Sequence, residues 1–293
     1  MLKRVRMCID LPCLSSGVMV MKLRKMLGAF FRKFNQETLV ESFQEEANPE
    51  ITFDVIDYTN PLLHWRDTRR LVFQHGSTYA YSTIYLHKYR RDQPIYYAVH
   101  QLTHAYLPRL SLLESALVLG CAGCSIPRFL ALSAPNCKIT GIEYSEKMIE
   151  IAQKYFVDDP SIFRNFQLLH ADAFTYVHST SERYQLVYVD LFLADKNHPQ
   201  IFADDFLRDL DSITSKESIT IINLLNLSKG DATKYLLRFA AAFPAVYLFN
   251  ERFHYYGVLI KTEDPASLKR FESRAVKTVR MEERFLSPTP YPQ

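Results

Sequence analysis

Three carboxylates stand where apolar runs of strand type end, positions at which packing has no use for an acid. Glu143 closes the run 138–143, Asp172 follows 166–170, and Asp190 follows 185–189. Acids so placed accept hydrogen bonds from hydroxyl or amine donors, or take a proton from a nucleophile. Ahead of them, the run 116–119 opens into Gly120-Cys-Ala-Gly-Cys-Ser125. There Gly120, Ala122 and Ser125 occupy the small positions of a G-x-G-x-x-G turn, letting backbone N–H groups and a helix N-terminus approach a ligand. Glu143 follows at the distance where nucleotide-binding α/β folds place an acid for ribose hydroxyls, so loop and acid together read as an adenosine-binding half.

The other acids carry alternatives. Asp172, with Ala173, suits the adenine amino group, a pairing that turns the ligand from NAD toward an adenosyl sulfonium compound; equally, Asp172 suits a helix N-cap. Asp190 can take a proton from an attacking amine, hold a cation near the sulfonium, or cap a strand-to-loop junction. The loop 191–199 is long and holds Asp195 and His198, as a substrate-facing segment would.

The elements that must position these groups alternate. From residue 115 onward the pattern reads strand 116–119, helix 126–133, strand 138–143, helix 145–156, then strands 166–170 and 185–190. A helix near 203–210, strand 218–224, helix 231–243 and runs 245–249 and 255–261 follow. Such alternation predicts an α/β, Rossmann-like, mostly parallel sheet between helices. The last two runs are close enough for a hairpin, which makes the final strand antiparallel. Before this half, runs 51–58, 70–74 and 78–86 predict a small antiparallel β domain, and a helix is expected over 95–107. The expected divisions are a basic N-terminal helix and acidic linker (1–50, the linker being 41–50), the β domain (51–92), the nucleotide-binding domain (93–264) and a C-terminal helix and tail (265–293).

The chain has 293 residues and a net charge of +3, which describes a globular protein and implies no nucleic acid partner. Five cysteines (Cys8, Cys13, Cys121, Cys124, Cys137) form no regular framework, so free thiols and a cytoplasmic location are expected. No apolar stretch is long enough to span a bilayer. Residues 1–34 hold eight Lys or Arg against Asp10, and Leu23, Met26, Leu27, Phe30, Phe31 and Phe34 fall at helical spacing. This basic amphipathic helix is read as packing on the domain or a partner subunit, with peripheral membrane contact as the alternative. No metal site is expected: His100 and His104 have zinc-pair spacing, but Gln101 stands where a metalloprotease carries its Glu base. The tyrosine-rich stretch 79–97 is expected to be mostly core, with one or two rings walling the substrate pocket.

Over residues 69–261 the chain resembles the spermidine synthase-like (polyamine aminopropyltransferase-like) proteins of the class I S-adenosylmethionine-dependent methyltransferase fold. Gly-Cys-Ala-Gly-Cys-Ser-Ile-Pro-Arg128 is similar to the family loop G-x-G-G-G-S-x-P-[RK]. Ile142-Glu-Tyr-Ser-Glu-Lys-Met-Ile-Glu-Ile-Ala-Gln-Lys-Tyr-Phe156 resembles V-E-[IL]-D-P-x-V-x-x-[VL]-A-x-x-Y-F, and His170-Ala-Asp-Ala173 resembles G-D-A. The resemblance implies S-adenosylmethionine or its decarboxylated form as donor, held by Gly120, Cys121, Ala122, Gly123, Glu143, Tyr144, Asp172 and Ala173. It also implies Asp190 as the catalytic aspartate, an N-terminal β domain, dimerisation, and a small amine or similar acceptor met by Asp195, His198 and Tyr97. The family's G-G-G-D-G loop carries an acid that faces the donor's aminopropyl ammonium, and here no acid lies between Gly120 and Arg128. The polyamine-binding D-S-S-D-P pattern reads Asp190-Leu-Phe-Leu-Ala-Asp195. Methyl and aminopropyl transfer both stay open, as do a catalytically inactive adenosyl-binding module and a membrane-associated scaffold.

Overall fold

The computed structural model describes residues 30, 33–45, 49–75, 77–88, 90, 92–93, 112–193, 196–224, 229–251, 254–262 and 277–280. Its larger layer is an eight-stranded sheet. The alternating half of the sequence builds β5 (Ser115–Leu119), α1 (Ser125–Ser133), β6 (Lys138–Glu143), α2 (Glu146–Tyr155), β7 (Phe166–His170), α3 (Ala173–Ser179) and β8 (Tyr184–Val189). It continues through α4 (Asp204–Ser212), β11 (Thr214–Leu224), α5 (Lys229–Ala242), β12 (Ala245–Glu251), β13 (His254–Lys261) and β14 (Lys277–Arg280). A two-residue ribbon, β9 (Phe192–Leu193) with β10 (Lys196–Asn197), interrupts the loop after β8.

The strand order is β14-β12-β13-β11-β8-β5-β6-β7. Strands β11, β8, β5, β6 and β7 pair in parallel, while β13 runs antiparallel between β11 and β12. The expected mostly parallel sheet with an antiparallel final hairpin strand is therefore observed. Central β5 reads Ser-Ala-Leu-Val-Leu because both its faces are covered, as parallel strands between helices require. Phe129 and Leu130 of α1 pack on one face, and Leu207 of α4 with Phe239 of α5 on the other.

Four antiparallel strands, in order β1 (Gln36–Gln44), β2 (Thr52–Thr59), β3 (Thr68–His75) and β4 (Ser77–Tyr85), make the smaller sheet. Its inner residues Phe43, Phe53, Leu71 and Phe73 share a core with Met148 and Ile151 of α2. Glu41 of β1 accepts from Lys154 Nζ at 2.7 Å and from the Tyr155 hydroxyl at 2.6 Å, pinning the sheet's edge to the end of α2. Residues 41–44, expected to be linker, thus belong to β1. Its sequence is polar because β1 is an edge strand with most of one face in solvent. Helix α3 was also absent from the expected pattern; it is seven residues long and buries little beyond Ala173 and Val177. The expected helix 95–107, the basic segment up to residue 29 and the C-terminal tail lie outside the described residues.

At the carboxyl edge the register is informative. Leu119 pairs with both Ile142 and Val189, and Val189 pairs with Ile222. The next residue on each strand therefore falls in one row: Glu143, Gly120, Asp190, Asn223. Gly120 has φ of 82°, and a Cβ there would sit 2.3 Å from the Asp190 carbonyl oxygen. Left-handed strain and overpacking each cost about 1–3 kcal/mol. Gly120→Ala is expected to lower chemical-denaturation stability by roughly 2–5 kcal/mol, and an unchanged midpoint would refute this packing.

Candidate functional site

The chain reverses its direction of travel across the sheet between β5 and β8, the place where open α/β sheets hold ligands. A cavity of about 410 Å³ opens there. Gly120, Cys121 and Ala122 form its floor, with Glu143, Tyr144, Asp172 and Ala173 on one side and Asp190 and His198 on the other. The small sheet closes it from above with Glu45, Phe53, Phe73 and Tyr81. Such a size suits a small organic ligand.

Glu143 is the hub of the loop. One carboxylate oxygen accepts from Cys121 N at 3.1 Å and Ala122 N at 2.9 Å; the other accepts from Tyr144 N at 3.0 Å and Ser145 N at 3.2 Å. The turn and the acid thus form one unit. That unit holds Ala122 at φ 43° and Cys124 at φ 59°, both in the left-handed region that favours glycine. Gly123 lies behind the cavity floor: its N–H donates to Ser82 Oγ of β4 at 3.0 Å, and a Cβ there would meet Ser82 Cβ at 2.6 Å. The Cys121 thiol is buried, and burial followed by its hydrogen bond with Cys124 pushes its pKa well up, so it stays protonated.

Asp172 does what its cap reading predicted, accepting from Thr175 N and Thr175 Oγ1 at 2.8 Å at the start of α3, while still facing the cavity. Asp190 is half-buried, and burial lifts its carboxyl to about 6, opposed by the Asn223 amide that donates to it at 2.9 Å. A carboxyl poised there is a base at neutral pH and holds a proton in mild acid. His198 packs its ring 4.7 Å from Phe174, and burial lowers its pKa against the pull of Asp172. Asp195 and Tyr97 lie outside the described residues, as do His100, Gln101 and His104.

Sequence reasoning passed over Asn223, Asn197, Ser82 and Glu45. Asn223 follows the apolar run 219–222 just as the acids follow theirs, and that signal was readable. Asn197, on β10, donates to the Asn223 carbonyl at 2.6 Å and ties the loop after β8 to β11. Ser82 and Glu45 carry no local signature, since only the packing of the small sheet brings them to the cavity.

No protein-family model matches the chain. It is 25% identical over 142 residues to the polyamine aminopropyltransferase of Vibrio vulnificus, covering 47% of each chain. To the polyamine aminopropyltransferase of Thermoplasma acidophilum it is 26% identical over 135 residues, covering 45% of this chain and 48% of the relative. The chain thus spans about half the length of these curated relatives. Among solved structures, a probable spermidine synthase from Corynebacterium glutamicum is similar with TM-score 0.63 and 12% identity, covering 86% of this chain and 95% of that one. A spermidine synthase in complex with the transition state analogue AdoDATO matches with TM-score 0.51 and 16% identity over 86% of this chain and 84% of that one. Human methyltransferase-like protein 13 in complex with SAH matches with TM-score 0.51 and 20% identity over 67% of this chain and 96% of that one. The chain is spermidine synthase-like, with the class I methyltransferase fold.

Proposed function

We propose that this spermidine synthase-like chain is a transferase taking S-adenosylmethionine, or its decarboxylated form, as donor. It moves a methyl or aminopropyl group to a small amine or similar nucleophile. One observation carries the reading: a glycine turn clasped by a strand-end acid shares a cavity of about 410 Å³ with a second strand-end acid. Donor-binding relatives of the same fold support it. Tyr144, Asp172 and Ala173 would hold the adenosyl end beside the loop. A bound sulfonium supplies an electrophilic carbon, so the protein need only align the acceptor and receive its proton. Asp190, oriented by Asn223, takes that proton, and Asp195, His198 and Tyr97 are the proposed acceptor contacts.

Within this reading the methyl donor is favoured by the packing at Gly123. The acid of the G-G-G-D-G pattern occupies the loop's fourth position, and here Ser82 of β4 fills the space a side chain would need. The donor's aminopropyl ammonium then loses its loop partner, while an intact methionine carboxylate meets no loop acid. Titration calorimetry is expected to show S-adenosylmethionine binding about tenfold or more tightly than its decarboxylated form. The reverse preference would assign aminopropyl transfer. The left-handed Ala122 and Cys124 favour one second reading, a non-catalytic adenosyl-binding module, because both residues strain the turn. Donor binding without turnover across a panel of amines would support it.

A further inference from the structure

A carboxylate offers about four lone-pair sites. All four of Glu143's are committed, two N–H donors to each oxygen, at 2.9 to 3.2 Å. Ribose hydroxyls arriving at Glu143 would have to displace the backbone donors that shape the loop. A second carboxylate faces the same space. Glu45, the residue after β1, lines the cavity beside Glu143, and its backbone N–H is fixed to Ile51 O at 3.0 Å. Its carboxylate has no hydrogen-bond or ion-pair partner among the described residues. It is half-buried, and burial with the charge of Glu143 raises its pKa. An acceptor kept from water without a donor is costly, and two adjacent hydroxyls relieve that cost. The carboxyl end of β6 is where nucleotide-binding sheets keep the sugar, and the sulfonium end of the ligand belongs with Asp190.

We propose that Glu45, reaching in from the small sheet, receives the ribose hydroxyls, while Glu143 is a positioning residue that clasps the loop. This rests on the adenosyl reading given above. It makes the small sheet a working wall of the ligand site, since the sugar is then held between the two sheets. Gln at position 45 keeps the shape and one acceptor; Ala removes both.

Calorimetric titration of the full chain with 5′-methylthioadenosine and with its 2′,3′-dideoxy counterpart tests it. The unaltered protein is expected to prefer the ribose compound by about tenfold or more, a charged hydrogen bond's worth. Glu45→Ala should bind both compounds alike, with Glu45→Gln intermediate. Glu143→Gln should weaken both in parallel while keeping the preference. If the preference survives in Glu45→Ala and vanishes in Glu143→Gln, the assignment to Glu45 is overturned and the adenosyl reading stands. If the unaltered protein binds neither compound, the adenosyl reading falls and takes this one with it.

Discussion

Asp190→Asn is expected to bind an adenosyl donor as the unaltered protein does while losing about 10²–10⁴ in turnover, the usual worth of a positioned base. The amide keeps the shape, and its oxygen still accepts from Asn223 Nδ2, now 2.9 Å from the carboxylate. What it cannot do is receive a proton. The pH profile gives a second readout. Burial raises the Asp190 carboxyl to about 6, so the working carboxylate is present above that pH and is lost as the pH falls through it. Turnover should drop by about tenfold per unit below that point in the unaltered protein. The residual rate of Asp190→Asn should show no such limb. A variant that keeps full turnover would remove Asp190 from the proton path.

Glu143→Ala is expected to abolish the response to any adenosyl ligand, a loss of about 100-fold or more in affinity. The substitution strips four backbone N–H groups of their acceptor at once. Two of them belong to the turn in which Ala122 and Cys124 hold left-handed φ, and without the clasp that turn has every reason to relax. The ligand-free variant should also lose stability, on the order of 2 kcal/mol, because unsatisfied donors in a partly closed site each cost about 1–3 kcal/mol. An unchanged thermal shift with 5′-methylthioadenosine would show that the loop needs no clasp.

The sheet was legible because a parallel sheet covered on both faces demands apolar runs such as Ser115–Leu119, and a polar residue that ends such a run is conspicuous. The row of Glu143, Gly120 and Asp190 follows from that rule. What stayed hidden depended on tertiary neighbours. Strand β1 carries the polar sequence of an edge strand, so its residues 41–44 resemble a linker. Helix α3 is too short for its periodicity to stand out. Glu45 and Ser82 reach the cavity only because Phe43, Phe53 and Phe73 seat the small sheet on Met148 and Ile151. Nothing in the spacing along the chain records that contact. The strain at Cys124 was foreseeable from the loop motif, since a side chain there stands where the related pattern keeps glycine.

The central claim is that the clasped turn and the strand-end acids enclose an adenosyl sulfonium ligand. Its most direct test is a thermal-shift comparison of the unaltered protein with S-adenosylmethionine, S-adenosylhomocysteine and NAD, since a ligand that binds only the native state raises its apparent stability. The adenosyl sulfur compounds should raise the melting temperature and NAD should leave it unchanged. A response to NAD alone would contradict the account.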